Sequence, residues 1–323
     1  MKVAVLIVNW NGGGLLADCL ESVERQRRRP EQVVVVDNAS TDDSLERAAR
    51  ALRGAELIRL PSNVGFARAN NLAAAAAGKV DAIALLNPDA VAEPGWLEAL
   101  VGAMEDHPTA AGFASQLLLA STPQYLDGAG DSYHVSGRAW RNGHKMAASQ
   151  WPSQSAEVFG PCAAAALYRR DAFEDVNGFD ERYFCYFEDV DLAFRMRLRG
   201  HRFFYIPGAV VRHVGSALSG YRSDFAVYHG ERNAVWTYFK DMPASLLWLY
   251  LPQHIALNMA ALLYYPVRGQ GRVVLRAKLA AVRGLPSVLG QRRLVQRRRR
   301  VETKALRAAL TRGVLLPYLG RYS

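Results

Sequence analysis

Three carboxylates fall within four positions, at Glu188, Asp189 and Asp191, directly after the aromatic run Tyr183-Phe184-Cys185-Tyr186-Phe187. Carboxylates beside so much apolar surface are costly unless a partner or a task compensates their desolvation. Two tasks suit them. Asp189 or Asp191 can cap the helix-like run Leu192 to Arg199, which Gly200 closes, because short acidic side chains favour helix starts. Alternatively, one of them is a general base at the edge of an aromatic-walled pocket. Asp37 follows the β-branched run Val33 to Val36. It is either a turn residue or an acceptor for the hydrogen bonds of a nucleotide base or ribose. Asp89, in Leu85-Leu86-Asn87-Pro88-Asp89, either shapes a turn or binds a hard divalent ion, whose charge a departing diphosphate requires. His213 ends the run Val210-Val211-Arg212. As a further donor, its imidazole favours Mn2+ over Mg2+.

The elements that must position these residues are legible as alternating apolar runs and helical periods. Val3 to Val8 reads as a strand, and Leu15, Leu16, Cys19, Leu20 and Val23 recur at helical spacing. Val33 to Val36 is a buried strand, Ser44 to Leu52 a helix, Leu57 to Leu60 a strand, Phe66 to Ala77 a helix and Ala82 to Leu86 a strand. This order predicts an α/β fold, with a parallel sheet covered by helices on both faces. Ligands of such sheets bind beyond the carboxyl ends of the strands. Those ends carry Asn9-Trp10-Asn11, Asp37-Asn38-Ala39-Ser40 and Asn87-Pro88-Asp89, all able to hydrogen-bond a ligand. Residues 94–165 read as irregular, with Gly128, Gly130, Gly137 and Gly143 suggesting loops over a cleft. Gly160 to Tyr168 reads as a small-residue strand or floor, and Phe203 to Ile206 and Val210 to Val211 as later strands.

Taken in order, Val5-Leu6-Ile7-Val8-Asn9-Trp10-Asn11-Gly12, Val35-Val36-Asp37-Asn38-Ala39-Ser40-Thr41-Asp42, Asn63-Val64-Gly65-Phe66-Ala67-Arg68-Ala69-Asn70-Asn71, Leu85-Leu86-Asn87-Pro88-Asp89, Gly178-Phe179-Asp180-Glu181 with Glu188-Asp189-Val190-Asp191-Leu192, and His213 resemble glycosyltransferase family 2, in its rhamnosyltransferase-like branch. The resemblance covers roughly residues 3 to 220. It implies a GT-A fold, a Rossmann-like mixed but mainly parallel sheet flanked by helices, and inverting transfer from a nucleotide-sugar. By position it implies a nucleotide-sugar site at Asn9, Asn11, Asp37, Asn38, Asn63, Gly65, Asn70 and Asn87. It further implies a metal site at Asp89 and His213, and Asp189 as general base with Glu188 beside it. Asn87 and Asp89 stand where the family carries Asp-x-Asp, so one carboxylate replaces two. Arg232-Asn233, in the helix-like stretch Asp224 to Lys240, resembles a paired element after the catalytic domain, with a phosphate or acceptor role for Arg232. The implied donor is dTDP-rhamnose or a UDP-sugar, and the implied acceptor a lipid-linked or cell-surface glycan.

Half of the 323 residues are hydrophobic, enough for a sizeable core and against disorder. The expected division is a catalytic unit over 1–220 and a helical, basic extension over 221–323. Within the first, a nucleotide-binding half spans about 1–90 and an acceptor and catalytic half about 91–220. Cys19, Cys162 and Cys185 have no metal-ligand spacing and suit a reducing compartment. The first apolar run is too short for a signal peptide, so a cytoplasmic site is expected.

The net charge of +10 is unevenly spread: Arg268 to Arg312 holds 14 Lys or Arg against one acid, Glu302, leaving 26 basic and 29 acidic residues elsewhere. Ahead of that tail, Leu246 to Pro266 is rich in Leu, Trp and Tyr but interrupted by Pro252, Gln253, His254 and Asn258. The interruptions argue against a membrane span and for an interfacial hairpin or a core-packed helix. Residues 246–312 are thus expected to meet an anionic membrane surface at the inner face of the cell membrane. Two alternatives are a catalytically silent nucleotide-sugar binder of the same fold and a nucleic-acid binder driven by the tail. The second lacks a basic, aromatic sheet face for stacking bases, so nucleic acid is not an expected partner.

Overall fold

A computed structural model describes residues 1–215, 220 and 222–318. The first half winds as expected: β1 (Val3–Asn9), α1 (Leu15–Glu24), β2 (Gln32–Asp37), α2 (Ser44–Arg47), β3 (Glu56–Arg59), α3 (Phe66–Ala76) and β4 (Ala82–Leu86). β1 is parallel to both β2 and β4, and β2 to β3. The helix read over Ser44 to Leu52 is only one turn, followed by a separate 3-10 turn at Ala51–Gly54. The segment buries only Ser44, Ala48 and Ala51, which is too little apolar contact to sustain a longer helix.

Residues 94–165 are more ordered than the sequence suggested. After β5 (Ala90–Ala92), α4 (Trp96–Asp106), β6 (Ala110–Leu119), β7 (Leu126–Ala129), β8 (Asp131–Tyr133), β9 (Ala139–Arg141) and β10 (Ala156–Val158) fill the interval. The short strands β7 to β10 leave little alternation to read, and β6, continuously buried over Ala110 to Ser115, has none there. Then follow β11 (Ala165–Arg169), α5 (Arg170–Asp175), α6 (Glu188–Leu198) and β12 (Arg202–His213). β12 joins the two runs read separately, with a register shift between Ile206 and Val210. The main sheet runs β10-β12-β6-β11-β4-β1-β2-β3. It is mixed, because β11 is antiparallel to both β4 and β6.

The C-terminal part is helical: α7 (Asp224–Asp241), α8 (Ala244–Val267), α9 (Gly271–Arg297) and α10 (Thr303–Ala309). Tyr238, Met242, Leu246, Leu247, Tyr250, Leu306 and Leu310 share one core cluster with Ala4, Ile83 and Phe194, so these helices pack on the sheet domain. α8 runs unbroken through Pro252, contrary to the interruptions read from sequence. Pro252 lies on the exposed side of the helix, where the hydrogen bond it cannot make is least costly. Among the described residues, α8 is the one helix long and apolar enough to cross a membrane. It is fastened to the domain by His254, whose Nδ1 donates to the Ser136 carbonyl at 2.7 Å and whose ring stacks on Tyr238 at 3.8 Å.

Candidate active site

A cavity of about 540 Å³ opens at the carboxyl ends of β1 and β4. At one end it is lined by Val8, Trp10, Asn38, Asn63 and Gly65. Asn38 Nδ2 donates to Asn63 Oδ1 at 2.9 Å, and Asn38 Oδ1 accepts from the Val64 amide at 2.8 Å. The pair holds the loop that enters α3. Gly65 begins that helix with φ +86, and a Cβ there would lie 2.7 Å from the Phe184 carbonyl oxygen. Only glycine fits both the angle and the contact.

Asn9, Asn11, Asp37 and Asn70 are not on the cavity wall. They stand behind it. Asn9 is fully buried, and its Nδ2 lies 3.2 Å from Asp37 Oδ1, 3.0 Å from Ser40 Oγ and 2.9 Å from Ser44 Oγ. Asn11 Oδ1 accepts from the Thr41 amide at 2.8 Å. Both therefore shape the loop after β2. Asn70 turns back to the Phe66 carbonyl within its own helix.

Asn87 and Asp89 lie at the middle of the cavity, with His213 opposite. Their approach is a matter of register: β12 pairs with β5 so that His213 faces Ala90, and the Val214 amide donates to the Asp89 carbonyl at 3.0 Å. His213 Nε2 is 3.2 Å from Asp89 Oδ1. His213 Nδ1 lies 2.7 Å from Asp127 Oδ2. Burial alone would lower the His213 pKa; the neighbouring carboxylates of Asp127 and Asp89 outweigh it and shift it upward. Asp127 moves the other way. Burial opposes its charge, but Arg141, His144 and His213 hold its carboxyl well below the usual range.

The donor set fits a divalent ion. His213 Nε2 is buried without a hydrogen-bond partner and faces a carboxylate, while a second carboxylate orients the ring through Nδ1. That is the arrangement of a ligating histidine and its outer-shell acid. A second group, Asp131, Cys162 and Asp189, also brings three possible donor atoms within 4.8 Å of one another.

Asp189 and Glu188 open α6 and line the same cavity. Asp189 Oδ2 accepts from the Ala163 amide at 3.1 Å and Oδ1 from the Val190 amide at 2.8 Å. Neither Asp189 nor Asp191 is the cap; the cap position is Phe187, in a left-handed conformation. Asp191 is a core residue, paired with Arg195 at 2.7 Å and with Lys240. Burial, reinforced by the charge of Asp189, raises the pKa of Glu188 well above the usual range, and the same two causes raise Asp131. Asp131 Oδ1 and Glu188 Oε2 are buried without hydrogen-bond partners.

Phe184, Tyr186 and Phe187 wall the cavity beside them, whereas Tyr183 is buried behind this wall, its hydroxyl 2.9 Å from Thr237 Oγ1. The loop is strained: Phe184, Tyr186 and Phe187 have φ of 64, 67 and 66, each costing on the order of 1–3 kcal/mol. Asn233 compensates. Its Nδ2 donates to the carbonyls of Tyr183, Cys185 and Tyr186 at 3.0, 3.0 and 2.7 Å. Arg232 is not on the cavity wall; it donates to the Tyr183 carbonyl at 3.0 Å and lies over Trp236. The pair clamps the loop.

Sequence reasoning missed Asp127, Asp131, Trp140, Arg141 and Cys162. The available signal was Leu126-Asp127-Gly128-Ala129-Gly130-Asp131, two acids between glycines after an apolar run, which had been read only as loop.

A mixed α/β sheet with its cavity beyond the strand ends has the architecture of the GT-A fold. The sequence model described as Glycosyl transferase family 2 matches residues 4–176, and the chain belongs to that family. It is 29% identical over 264 residues to the N-acetylglucosaminyl-diphospho-decaprenol L-rhamnosyltransferase of Mycobacterium tuberculosis, covering 72% of this chain and 85% of the relative. It is also 29% identical over 217 residues to the O-antigen chain rhamnosyltransferase RfbN of Salmonella typhimurium, covering 66% of each. Two solved structures share the fold. GalNAc-T7 with UDP, GalNAc and Mn2+ has TM-score 0.62 and 14% identity, over 79% of this chain and 49% of that one. The mannosyltransferase PcManGT of Pyrobaculum calidifontis, in complex with GDP-Man and Mn2+, has TM-score 0.56 and 19% identity, over 88% and 87%.

Proposed function

We propose that this glycosyltransferase moves rhamnose from dTDP-rhamnose, with inversion, to a hydroxyl of a lipid-linked glycan. The observation that carries the reading is the single cavity that joins the Asn38–Asn63 end, the Asp89–His213 pair and Asp189. The nucleotide lies at the Asn38 and Asn63 end, with Asp37 and Asn9 fixing the loop around it. Asp89 and His213 hold a divalent ion, Mn2+ in preference to Mg2+. When bound, the ion supplies charge neutralisation for the departing diphosphate.

Asp189 takes the proton of the acceptor hydroxyl. The freed oxygen attacks the anomeric carbon as its bond to the diphosphate breaks, and the nucleoside diphosphate leaves. Attack opposite the leaving group inverts the centre. The Ala163 and Val190 amides hold the Asp189 carboxylate in place. Phe184, Tyr186 and Phe187 exclude water from this part of the cavity. The rhamnose donor and the diphospholipid acceptor are favoured by the likeness to the mycobacterial enzyme.

Residues 1–220 carry this chemistry, and residues 221–323 place it at the inner face of the cell membrane. Trp248, Pro252, Ile255, Met259 and Leu263 form one exposed apolar stripe on α8; Leu275, Leu279, Val282, Pro286 and Leu289 form another on α9. Arg272, Arg276 and Arg283 flank the second stripe at helical spacing. Apolar stripes edged by arginines suit a helix pair lying in the plane of an anionic bilayer. The expected result is flotation with anionic vesicles and loss of flotation in a Trp248→Glu/Val282→Glu variant; a wild-type protein that ignores such vesicles at low salt overturns the membrane reading.

The test of the enzymatic reading is calorimetric binding of dTDP and UDP with Mn2+, Mg2+ or chelator, followed by transfer from dTDP-rhamnose to a synthetic N-acetylglucosaminyl-diphospholipid. Metal-dependent dTDP binding and transfer are expected. Tighter UDP binding replaces the donor, and folded protein that binds neither nucleotide overturns the reading.

A further inference from the structure

Asp127 belongs to a segment that no motif singled out. β7 pairs with β6 so that Gly128 faces Leu117 and Leu126 faces Leu118, leaving Asp127 as the extra residue of a β-bulge. Bulges re-aim side chains and recur beside active sites. Here β7 and β12 flank β6 on opposite sides, and His213 pairs with Leu119. The bulge sends the Asp127 carboxylate across β6 to the His213 ring, 2.7 Å away. The same oxygen, Oδ2, accepts from Arg141 Nη1, and His144 Nδ1 donates to the Asp127 carbonyl at 2.9 Å. Asp127 is only 3% exposed, so no solvent competes for these bonds. Gly128 makes the geometry possible: a Cβ there would lie 3.1 Å from the Arg141 stem.

We infer that Asp127 is a positioning residue, which fixes the ring orientation and tautomer of His213 and ties it to the Arg141 guanidinium on the cavity wall. Asp127 accepts from Nδ1 at 2.7 Å, the shorter of the two carboxylate approaches to the ring; Nε2 is 3.2 Å from Asp89 Oδ1. The neutral ring therefore carries its proton on Nδ1 and presents the Nε2 lone pair beside Asp89. The inference rests on the proposed role of Asp89 and His213 in holding the ion. Through Arg141, the bulge also sets one wall of the cavity from the carboxylate that sets the histidine.

The experiment uses the full chain. Calorimetry with Mn2+ and dTDP or UDP compares wild type, Asp127→Asn, Asp127→Glu, His213→Ala and the Asp127→Asn/His213→Ala pair. Asp127→Asn is expected to weaken metal-dependent nucleotide binding by roughly 10- to 100-fold. Asp127→Glu recovers part of that loss, and the double variant is no weaker than His213→Ala alone. Wild-type affinity in Asp127→Asn, or losses that add in the double variant, overturn the inference. A second measurement needs neither metal nor variant: nitrogen-15 NMR of labelled histidine in the wild type, at alkaline pH where the ring is neutral. A proton on Nδ1 of His213 is expected, and a proton on Nε2 overturns the inference. If wild type shows no metal-dependent binding, the ion's assignment fails while the tautomer still decides the role of Asp127.

Discussion

Behind the Asp89–His213 pair, Asp127 shares its carboxylate between an imidazole and a guanidinium, and its pKa falls. On the cavity wall beside Asp189, Asp131 Oδ1 and Glu188 Oε2 are equally buried but have no hydrogen-bond partner, and their pKa values rise. Burial is the largest cause in both groups; neighbouring cations reverse its sign in the first and the Asp189 charge reinforces it in the second. The first group is built to keep charge in place. The second presents acceptors left unsatisfied by the protein itself, which the hydroxyls of a sugar can fill.

The strongest way to break this contrast is at Asp189. Asp189→Asn keeps the shape and the helix start, so nucleotide binding should persist. Transfer should fall on the order of 100- to 10,000-fold, and full turnover in that variant removes Asp189 from the base role. Next in size is the clamp behind the same loop. Asn233→Ala removes the donor to the Cys185 and Tyr186 carbonyls of the strained 183–187 loop, whereas the Tyr183 carbonyl keeps Arg232. A loss of roughly 2–6 kcal/mol is expected, since each of the two buried groups left unpaired costs about 1–3 kcal/mol; chemical denaturation measures it.

Beside the charged group, Asp89→Ala should weaken nucleotide binding in Mn2+ by at least about tenfold, the scale on which even outer-shell partners act. Binding in chelator should barely change. Equal affinity with and without metal moves the ion elsewhere, the Asp131–Cys162–Asp189 group being the alternative.

The smallest effect sharpens the comparison by its sign. Glu188 has a raised folded pKa, so the folded protein holds this proton to higher pH than the unfolded chain. Stability linked to Glu188 is thus full below the unfolded value of about 4.3 and declines as pH rises toward the folded value. Glu188→Gln removes that decline. Relative to wild type it should gain stability as pH rises from about 4, by at most about 1.4 kcal/mol per pH unit. Asp127→Asn should show the reverse: its loss relative to wild type is fully present above pH about 4 and shrinks as pH falls through the depressed folded value. Thermal melts of both variants across pH 3 to 8 separate the two; parallel curves refute the contrast.

The apolar runs over residues 3–86 are sufficient to read β1, β2 and β4 and the polar residues at their ends, because parallel strands buried on both faces carry a strong local signal; β3, half-exposed at the sheet edge, is read from Leu57-Ile58 alone. Residue types and spacing already offered Asp89, His213 and either Asp189 or Asp191; the resemblance selected Asp189, and the fold brings Asp89, Asp189 and His213 to one cavity. The resemblance also grouped Asn9, Asn11, Asp37, Asn70 and Arg232 with them. Nothing local in a sequence distinguishes a side chain that faces a ligand from one that braces the loop beside it. That depends on which way a few dihedral angles turn after the strand ends.

The wound parallel half, the family and the order of the functional segments are legible in the chain alone. Which carboxylates keep their charge is not; that is set in three dimensions. Asp127 and Asp131 are four residues apart in one glycine-rich stretch. A bulge turns one toward His213 and Arg141, while the other is sealed beside Asp189. The reason is that a carboxyl's charge state is set by burial and by cations within a few ångströms, and both come from strands distant in the chain.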